Sequence, residues 1–299
     1  MKMTKCFIAL LLLLTSHCAF AQLHVLACEP EWAALAKTLG GQHVKVHSAT
    51  TALQDPHHIQ ARPSLIAKAR RADLVICSGS ELEIGWLPVL LRKSGNRKIQ
   101  PGNPGLFYAT DHVELLDKPL TVDRSEGDVH GAGNPHIHTN PDNMLKVSMA
   151  LRDVLTQIDP QHAQDFQQNQ TAFSERLEQA LALWAEKIQT IKGKRVVVHH
   201  NTWVYLRQWL GLKKIATLEP KSGIPPTSRH LSKLVSQLKT QPADMIIYAS
   251  YQDERASQWL SNKTGIPKVP LLYTVPDWEK DNALIDWYEN MLNRLQAKE

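Results

Sequence analysis

The chain reads as an α/β protein of two (βα) lobes with mostly parallel sheets, joined by one long rigid connector helix. Two observations predict this. Short apolar runs alternate with helical patterns early in the chain and again after residue 195, the order that builds parallel βαβ units. Between these regions, residues 162–191 keep helical spacing with no Pro or Gly. A third feature bears on chemistry: histidines recur as close pairs, His57-His58, His136 with His138, and His199-His200, beside prolines or strand ends.

The first residues stand apart from the fold. Lys2 and Lys5 precede an apolar run from Phe7 to Leu14, and Ala19-Phe20-Ala21 supplies a small-x-small cleavage pattern. Residues 1–21 are therefore expected to be a secretory signal peptide cleaved after Ala21, too short to span a bilayer. A lipid anchor on Cys18 requires a small residue before it, and His17 stands there. Loss of Lys2 and Lys5 lowers the formal charge of +5 by two, which is no nucleic-acid signature. The remaining length of about 280 residues suits two domains rather than one. The expected division is an N-terminal lobe over 22–160, a connector over 161–192 and a C-terminal lobe over 193–299. Only Cys28 and Cys77 remain after the leader. That is no disulfide scaffold, though an oxidising compartment permits one bond.

Taken in order, Leu23 to Cys28 reads as a buried strand. Pro30 and the acids Glu29 and Glu31 open a helix with Trp32, Leu35, Ala36 and Leu39 on its apolar face, and Gly40-Gly41 ends it. Val44 to His47 is a second strand, where His47 is structural. A proline-bounded loop from Leu53 to Ser64 carries His57 and His58, with Ser64 as N-cap of a helix to Arg71. Ala72 to Cys77 is a strand. Ser78-Gly79-Ser80 then turns into a helix through Leu82, Ile84, Trp86 and Leu87. Residues 94–105 and 127–133, rich in Gly, Pro and Asn, read as loops. Pro135 and Pro141 forbid a helix through 134–141 and favour extended geometry, where His136 and His138 point the same way from an exposed turn. A helix from Asn143 to Ile158 is broken by Asp159-Pro160. In the connector, Phe166, Phe173, Leu177, Ala180, Leu181 and Trp184 recur on one face. Beyond it come a strand at Arg195–Val198, a helix opening at His199-His200, a strand at Ile215–Leu218 and a helix at 229–240. A strand at Asp244–Tyr248, a helix at 256–264, a strand at Val269–Tyr273 and a terminal helix complete the chain.

In open parallel sheets, ligands sit beyond the carboxyl ends of the strands, where the histidine pairs fall. Three neutral imidazoles with one oxygen donor make a tetrahedral zinc site, whereas manganese prefers more carboxylate. A histidine of each pair that does not ligate is a surface residue or orients its neighbour. A zinc-bound water in such a site would also suit a hydrolase. Against that, the chain has no HExxH helix, no GxSxG elbow and no Gly-rich phosphate loop after a strand. An adhesin-like surface protein would need an anchor that cleavage at Ala21 does not provide.

The same residues resemble a known family, the metal-binding proteins of zinc and manganese ABC importers with a rigid interlobe helix (cluster A-I). Asp55-Pro56-His57 is similar to its first ligand loop, closed by Ser64. Gly79 to Leu87 resembles its G-x-x-L-E segment and the aromatic that follows. Asn134-Pro135-His136-Ile137-His138 resembles D-P-H-x-W, with Asn and His in place of Asp and Trp. His200 to Leu206 resembles H-D-A-Y-x-Y-F. The resemblance covers nearly the whole mature chain. It implies a non-catalytic periplasmic protein, acting as a monomer, that holds Zn2+ (Mn2+ less readily) in the cleft between its lobes and delivers it to a membrane permease. It carries the ligands onto His57, His136 and His200, with His138 as an extra candidate. The family's fourth ligand, an acid after the last strand, falls on Val275 in an ungapped match; Asp277 needs a two-residue shift, and Asp281, Glu29 or water are alternatives. Of the family's long His-rich loop, only His130 with His136 and His138 remains. The implied fold puts Cys28 and Cys77 at the ends of adjacent strands, where a disulfide is a candidate.

Overall fold

In the computed structural model, residues 22–119 and 127–297 are described; the expected signal peptide, residues 1–21, lies outside them. Eight strands among the described residues form two four-stranded sheets, parallel throughout. The first holds β1 (Leu23–Ala27), β2 (Val44–Ser48), β3 (Leu74–Cys77) and β4 (Leu106–Tyr108) in the order β2-β1-β3-β4. The second holds β5 (Arg195–Val198), β6 (Lys213–Thr217), β7 (Met245–Ala249) and β8 (Lys268–Leu271) in the order β6-β5-β7-β8. The two sheets therefore repeat one topology. In each, chain order reverses between the first and third strands, the switch point where open sheets leave a crevice.

The helices are α1 (Pro30–Gly40), α2 (Pro63–Arg71), α3 (Leu87–Ser94), α4 (Pro141–Ile158), α5 (Ala163–Ile191), α6 (Val204–Leu210), α7 (Ser228–Thr240), α8 (Arg255–Thr264) and α9 (Ala283–Gln296). The alternation of side chains along a strand sorts the core into layers. Val25, Ala27, Leu74 and Ile76 of the first sheet and Val196, Val198, Met245 and Ile247 of the second face one shared core. Leu26, Val75 and Cys77 turn the other way, under α2 and α3. Val197 and Ile246 do the same in the second sheet, under α7 and α8.

The connector α5, 29 residues long, is about 45 Å at 1.5 Å per residue. It packs on α1, α4 and α9. Phe166, Phe173, Leu177, Ala180 and Trp184 are buried in the shared core, and Leu181 packs against it. Large apolar side chains buried this way each contribute roughly 1.5–3 kcal/mol, so both sheets lean on the same helix.

Four local expectations are corrected. Leu106–Tyr108 forms β4, an edge strand not expected from the sequence pattern. Ser64 is not an N-cap: Pro63 is the first helical residue, and Arg62 precedes it without a side-chain cap. Residues 80–86 are turns rather than helix, because Ser80 and Glu81 adopt left-handed backbone (φ 48° and 66°); α3 begins at Leu87 and leaves Ile84 exposed. The stretch 134–141 is not an exposed extended turn. Ile137–Thr139 is a 3-10 turn, and His136 and His138 are fully buried.

Candidate metal site

His57 lies on the loop after β2. Asp55 closes an Asx turn, its Oδ1 accepting from the His57 backbone N–H at 3.0 Å and meeting His57 Nδ1 at 2.7 Å. Trp86 Nε1 donates to the Pro56 carbonyl at 2.9 Å, pinning this loop to the turn before α3. The approach is close: a Cβ on Gly85 would sit 3.2 Å from the His57 carbonyl oxygen. His57 Nε2 is buried and without a hydrogen bond.

His136 sits just before the N-terminus of α4, which Asn140 caps by accepting from the Asp142 N–H. Asn134 Oδ1 accepts from the His136 backbone N–H at 3.1 Å, and its Nδ2 donates to the Asn201 carbonyl at 2.9 Å. One side chain thus ties the His136 loop to the residue after His200. His136 Nδ1 meets the Tyr273 hydroxyl at 2.9 Å, leaving Nε2 buried and unpaired. Burial, together with the imidazoles of His57, His200, His130 and His138, holds its pKa well below the usual histidine range.

His200 follows β5 directly. The ladder still holds its neighbour, with His199 N–H donating to the Ile247 carbonyl and Glu219 N–H to the His199 carbonyl. Glu219 Oε2 meets His200 Nδ1 at 2.7 Å.

The three loops converge. One ring nitrogen from each of His57, His136 and His200 lies within 4.8 Å of the others, and the ring centroids are 5.6–5.9 Å apart. Each Nδ1 faces an oxygen: the carboxylates of Asp55 and Glu219 accept from His57 and His200, the Tyr273 hydroxyl takes either role toward His136, and Nε2 is left for the common point. Zinc–nitrogen bonds of about 2.0–2.1 Å require a small inward shift of each ring, no rearrangement. An imidazole ligates in its neutral form, so the two flanking carboxylates would supply the balance for a divalent cation. Burial alone would raise the Asp55 pKa, but its hydrogen bonds with His57 hold it below the usual carboxylate range. A cavity of about 780 Å³, lined in part by His57, His58, His199, His200, Glu219 and Tyr251, opens beside the cluster.

The other predicted residues lie elsewhere. His138 is not in the cluster: its Nε2 meets the Tyr273 carbonyl at 3.0 Å and its Nδ1 is 3.3 Å from Glu31. The 3-10 turn separates the two imidazoles that extended backbone would have aligned. Asp277 is exposed and paired with Lys280, because residues 276–280 turn away before α9. The Asp281 side chain is fully exposed, and Glu29 is buried against Ser78. Val275 is buried and offers no donor. Cys28 and Cys77 are joined as a disulfide, Cα atoms 4.8 Å apart, at the ends of β1 and β3. Beside them, burial and the charges of Glu83 and Glu31 raise Glu29, and burial pushes Glu83 up to about 7.

His130, expected only as a remnant of a His-rich loop, lies beside the cluster. Its ring stands 5.5 Å from His57 and 6.2 Å from His136. Burial, with His57 and His200 nearby, lowers its pKa to about 3. The signal in the sequence was a histidine in a Gly-rich loop six residues before His136.

No helix among the described residues is long and apolar enough to cross a membrane. A family model described as zinc-uptake complex component A, periplasmic (ZnuA) matches residues 25–298. The zinc-binding lipoprotein AdcA of Streptococcus pneumoniae R6 is 26% identical over 230 residues, 76% of this chain. The chain spans only 44% of AdcA's length. The manganese ABC transporter substrate-binding lipoprotein PsaA of Streptococcus pneumoniae is 24% identical over 246 residues, 80% of this chain and 76% of PsaA. A crystal structure of ZnuA shares the fold with a TM-score of 0.72 at 18% identity, covering 92% of this chain and all of that one. The descriptions of the family and of PsaA are both of metal-transport components. The chain belongs to the ZnuA family of zinc-uptake components.

Proposed function

We propose that this protein captures zinc outside the cytoplasm and delivers it to the membrane permease of an ABC importer. The observation that carries the reading is the convergence of His57, His136 and His200 from three separate loops, each with an oxygen behind its Nδ1. An imidazole-rich donor set favours zinc over manganese, which takes more carboxylate and water. The family's name supports zinc, while manganese in PsaA's name makes that ion the competitor to test. Hydrolysis is disfavoured, since Asp55 and Glu219, the carboxylates at the cluster, are engaged by imidazoles rather than free as general bases.

His57 and His136 belong to the chain before α5 and His200 to the chain after it, so the ion is held between the two halves. The common core on α5 limits how far they separate, and release to the permease proceeds by small loop movements. Ligation requires neutral imidazole, and burial keeps His136 neutral below the ordinary histidine range.

The test is titration of the metal-free mature protein with Zn2+, against a chelator and against Mn2+. The expected result is one tight zinc per chain, weakened by each of His57→Ala, His136→Ala and His200→Ala. Parent-like binding by all three variants would overturn the site, and preference for Mn2+ would overturn the choice of ion.

A further inference from the structure

We propose that His130, on the loop 127–133, is the fourth metal ligand of this chain, in the place a carboxylate after the last strand would otherwise fill. The inference rests on the metal-binding reading above and adds a donor to it. Both ring nitrogens of His130 are buried, and the backbone of Ser80, the polar group facing the ring, lies off good hydrogen-bond geometry. A buried polar side chain is ordinarily satisfied, and the nearest rings are the ligand candidates themselves. The His130 ring stands 5.5 Å from His57 and 6.2 Å from His136, just outside the 4.8 Å cluster of the other three, so the loop must move inward to ligate.

The loop is built to hold that position. On one side, Ser80 Oγ donates to the Gly133 carbonyl at 2.5 Å, and the Gly131 N–H donates to Glu81 Oε2 at 3.2 Å. Ser80 and Glu81 are the two consecutive left-handed residues of the turn before α3. Such backbone costs on the order of 1–3 kcal/mol per residue and persists where the surroundings over-determine it; here it aims both side chains at the histidine loop. On the other side, Gly127 bridges Ser222, and the Asp128 N–H donates to the Ser222 carbonyl at 2.9 Å. The approach admits only glycine, since a Cβ on Gly127 would fall 1.9 Å from the Ser222 carbonyl oxygen. His130 is thereby slung across the mouth of the site from the first half of the chain to the second.

The competing donors are accounted for. Val275 carries no ligand atom, Asp277 is paired with Lys280 on the surface, and His138 lies outside the cluster, against the Tyr273 carbonyl and 3.3 Å from Glu31. Four nitrogen donors satisfy the tetrahedral preference of zinc and leave no open position for water. A ligand on a loop that touches both halves also makes metal occupancy and loop closure one event.

The test uses the mature protein with Zn2+ and, as a spectroscopic reporter, Co2+. His130→Ala is expected to bind one zinc per chain at least ~10-fold more weakly, in the range of 10–100-fold that ligand support carries. Its Co2+ visible spectrum should change, because water replaces a nitrogen donor. Asp277→Ala should match the parent in both. Unfolding of metal-free His130→Ala at the parent midpoint separates ligand loss from misfolding. If His130→Ala matches the parent in affinity and spectrum while His136→Ala loses zinc, the fourth-ligand assignment falls and the importer reading stands. If His136→Ala also binds as the parent does, the reading itself falls and the fourth ligand with it.

Discussion

The two sheets have the same strand order but use their switch points differently. In the first half, the ends of β1 and β3 are closed by the Cys28–Cys77 disulfide and flanked by the buried carboxyls of Glu29, Glu31 and Glu83. The ligand candidate is displaced to the loop after β2. In the second half, the corresponding strand β5 runs straight into His199-His200, and the orienting carboxylate comes from the next strand's end, Glu219. The first half offers His57, His130 and His136; the second offers His200 and the oxygens of Glu219 and Tyr273. Shared topology thus sets where a ligand sits, while the residues at each strand end decide whether that end holds the ion or braces the fold.

This contrast can be broken at several points. The largest effect is expected in what the halves share. Leu177→Ala on α5 removes a side chain buried in the common core and should cost ~2–5 kcal/mol. Unfolding by denaturant should remain one transition by circular dichroism and tryptophan fluorescence; two separated transitions would show that the halves fold independently.

Next comes the brace confined to the first half. Replacing both Cys28 and Cys77 by Ser should cost ~2–4 kcal/mol and leave zinc affinity nearly unchanged, because neither sulfur faces the imidazole cluster. A large loss of affinity in the folded variant would tie the brace to the site after all.

The orienting oxygens sharpen the comparison across halves. Glu219→Gln and Asp55→Asn should each weaken zinc ~10–100-fold, measured by chelator competition, whereas a loss in only one would show that one half does the orienting.

The smallest effect concerns Glu83. Its folded pKa, pushed by burial up to about 7, lies above its ordinary value of 4.5. The folded state therefore holds a proton that the unfolded chain releases, and the parent loses stability as pH rises through that window. Glu83→Gln, which keeps an acceptor for the Ser78 N–H, should stabilise by about 1 kcal/mol at pH 8 and have little effect at pH 4. Equal effects at both pH values would contradict the assignment.

Periodic elements were legible in the sequence because their cause is local. Apolar alternation and helical spacing marked seven of the eight described strands and the connector. Leu106–Tyr108 escaped because three residues after a Gly/Pro/Asn-rich loop carry too little pattern, and its pairing with β3 comes from tertiary contact. The turn at Ser80-Glu81 escaped for a related reason: its backbone is held by the histidine loop, remote in sequence. At the site, the proline- and strand-anchored histidines were legible as ligand candidates. Which of each pair faces the common point was legible only through the family resemblance, since Tyr273, Glu31 and Asn201 decide it from far along the chain. His130 carries no local sign of burial, because its partners come from other loops.

The most direct measurement is diffraction from zinc-loaded crystals of the mature protein, with anomalous maps on either side of the zinc edge. One peak among the Nε2 atoms of His57, His136 and His200, with donors from both halves, is the predicted result. A peak outside that cluster, or an ion held by one half alone, would contradict the assignment of the cleft between the sheets as the capture site.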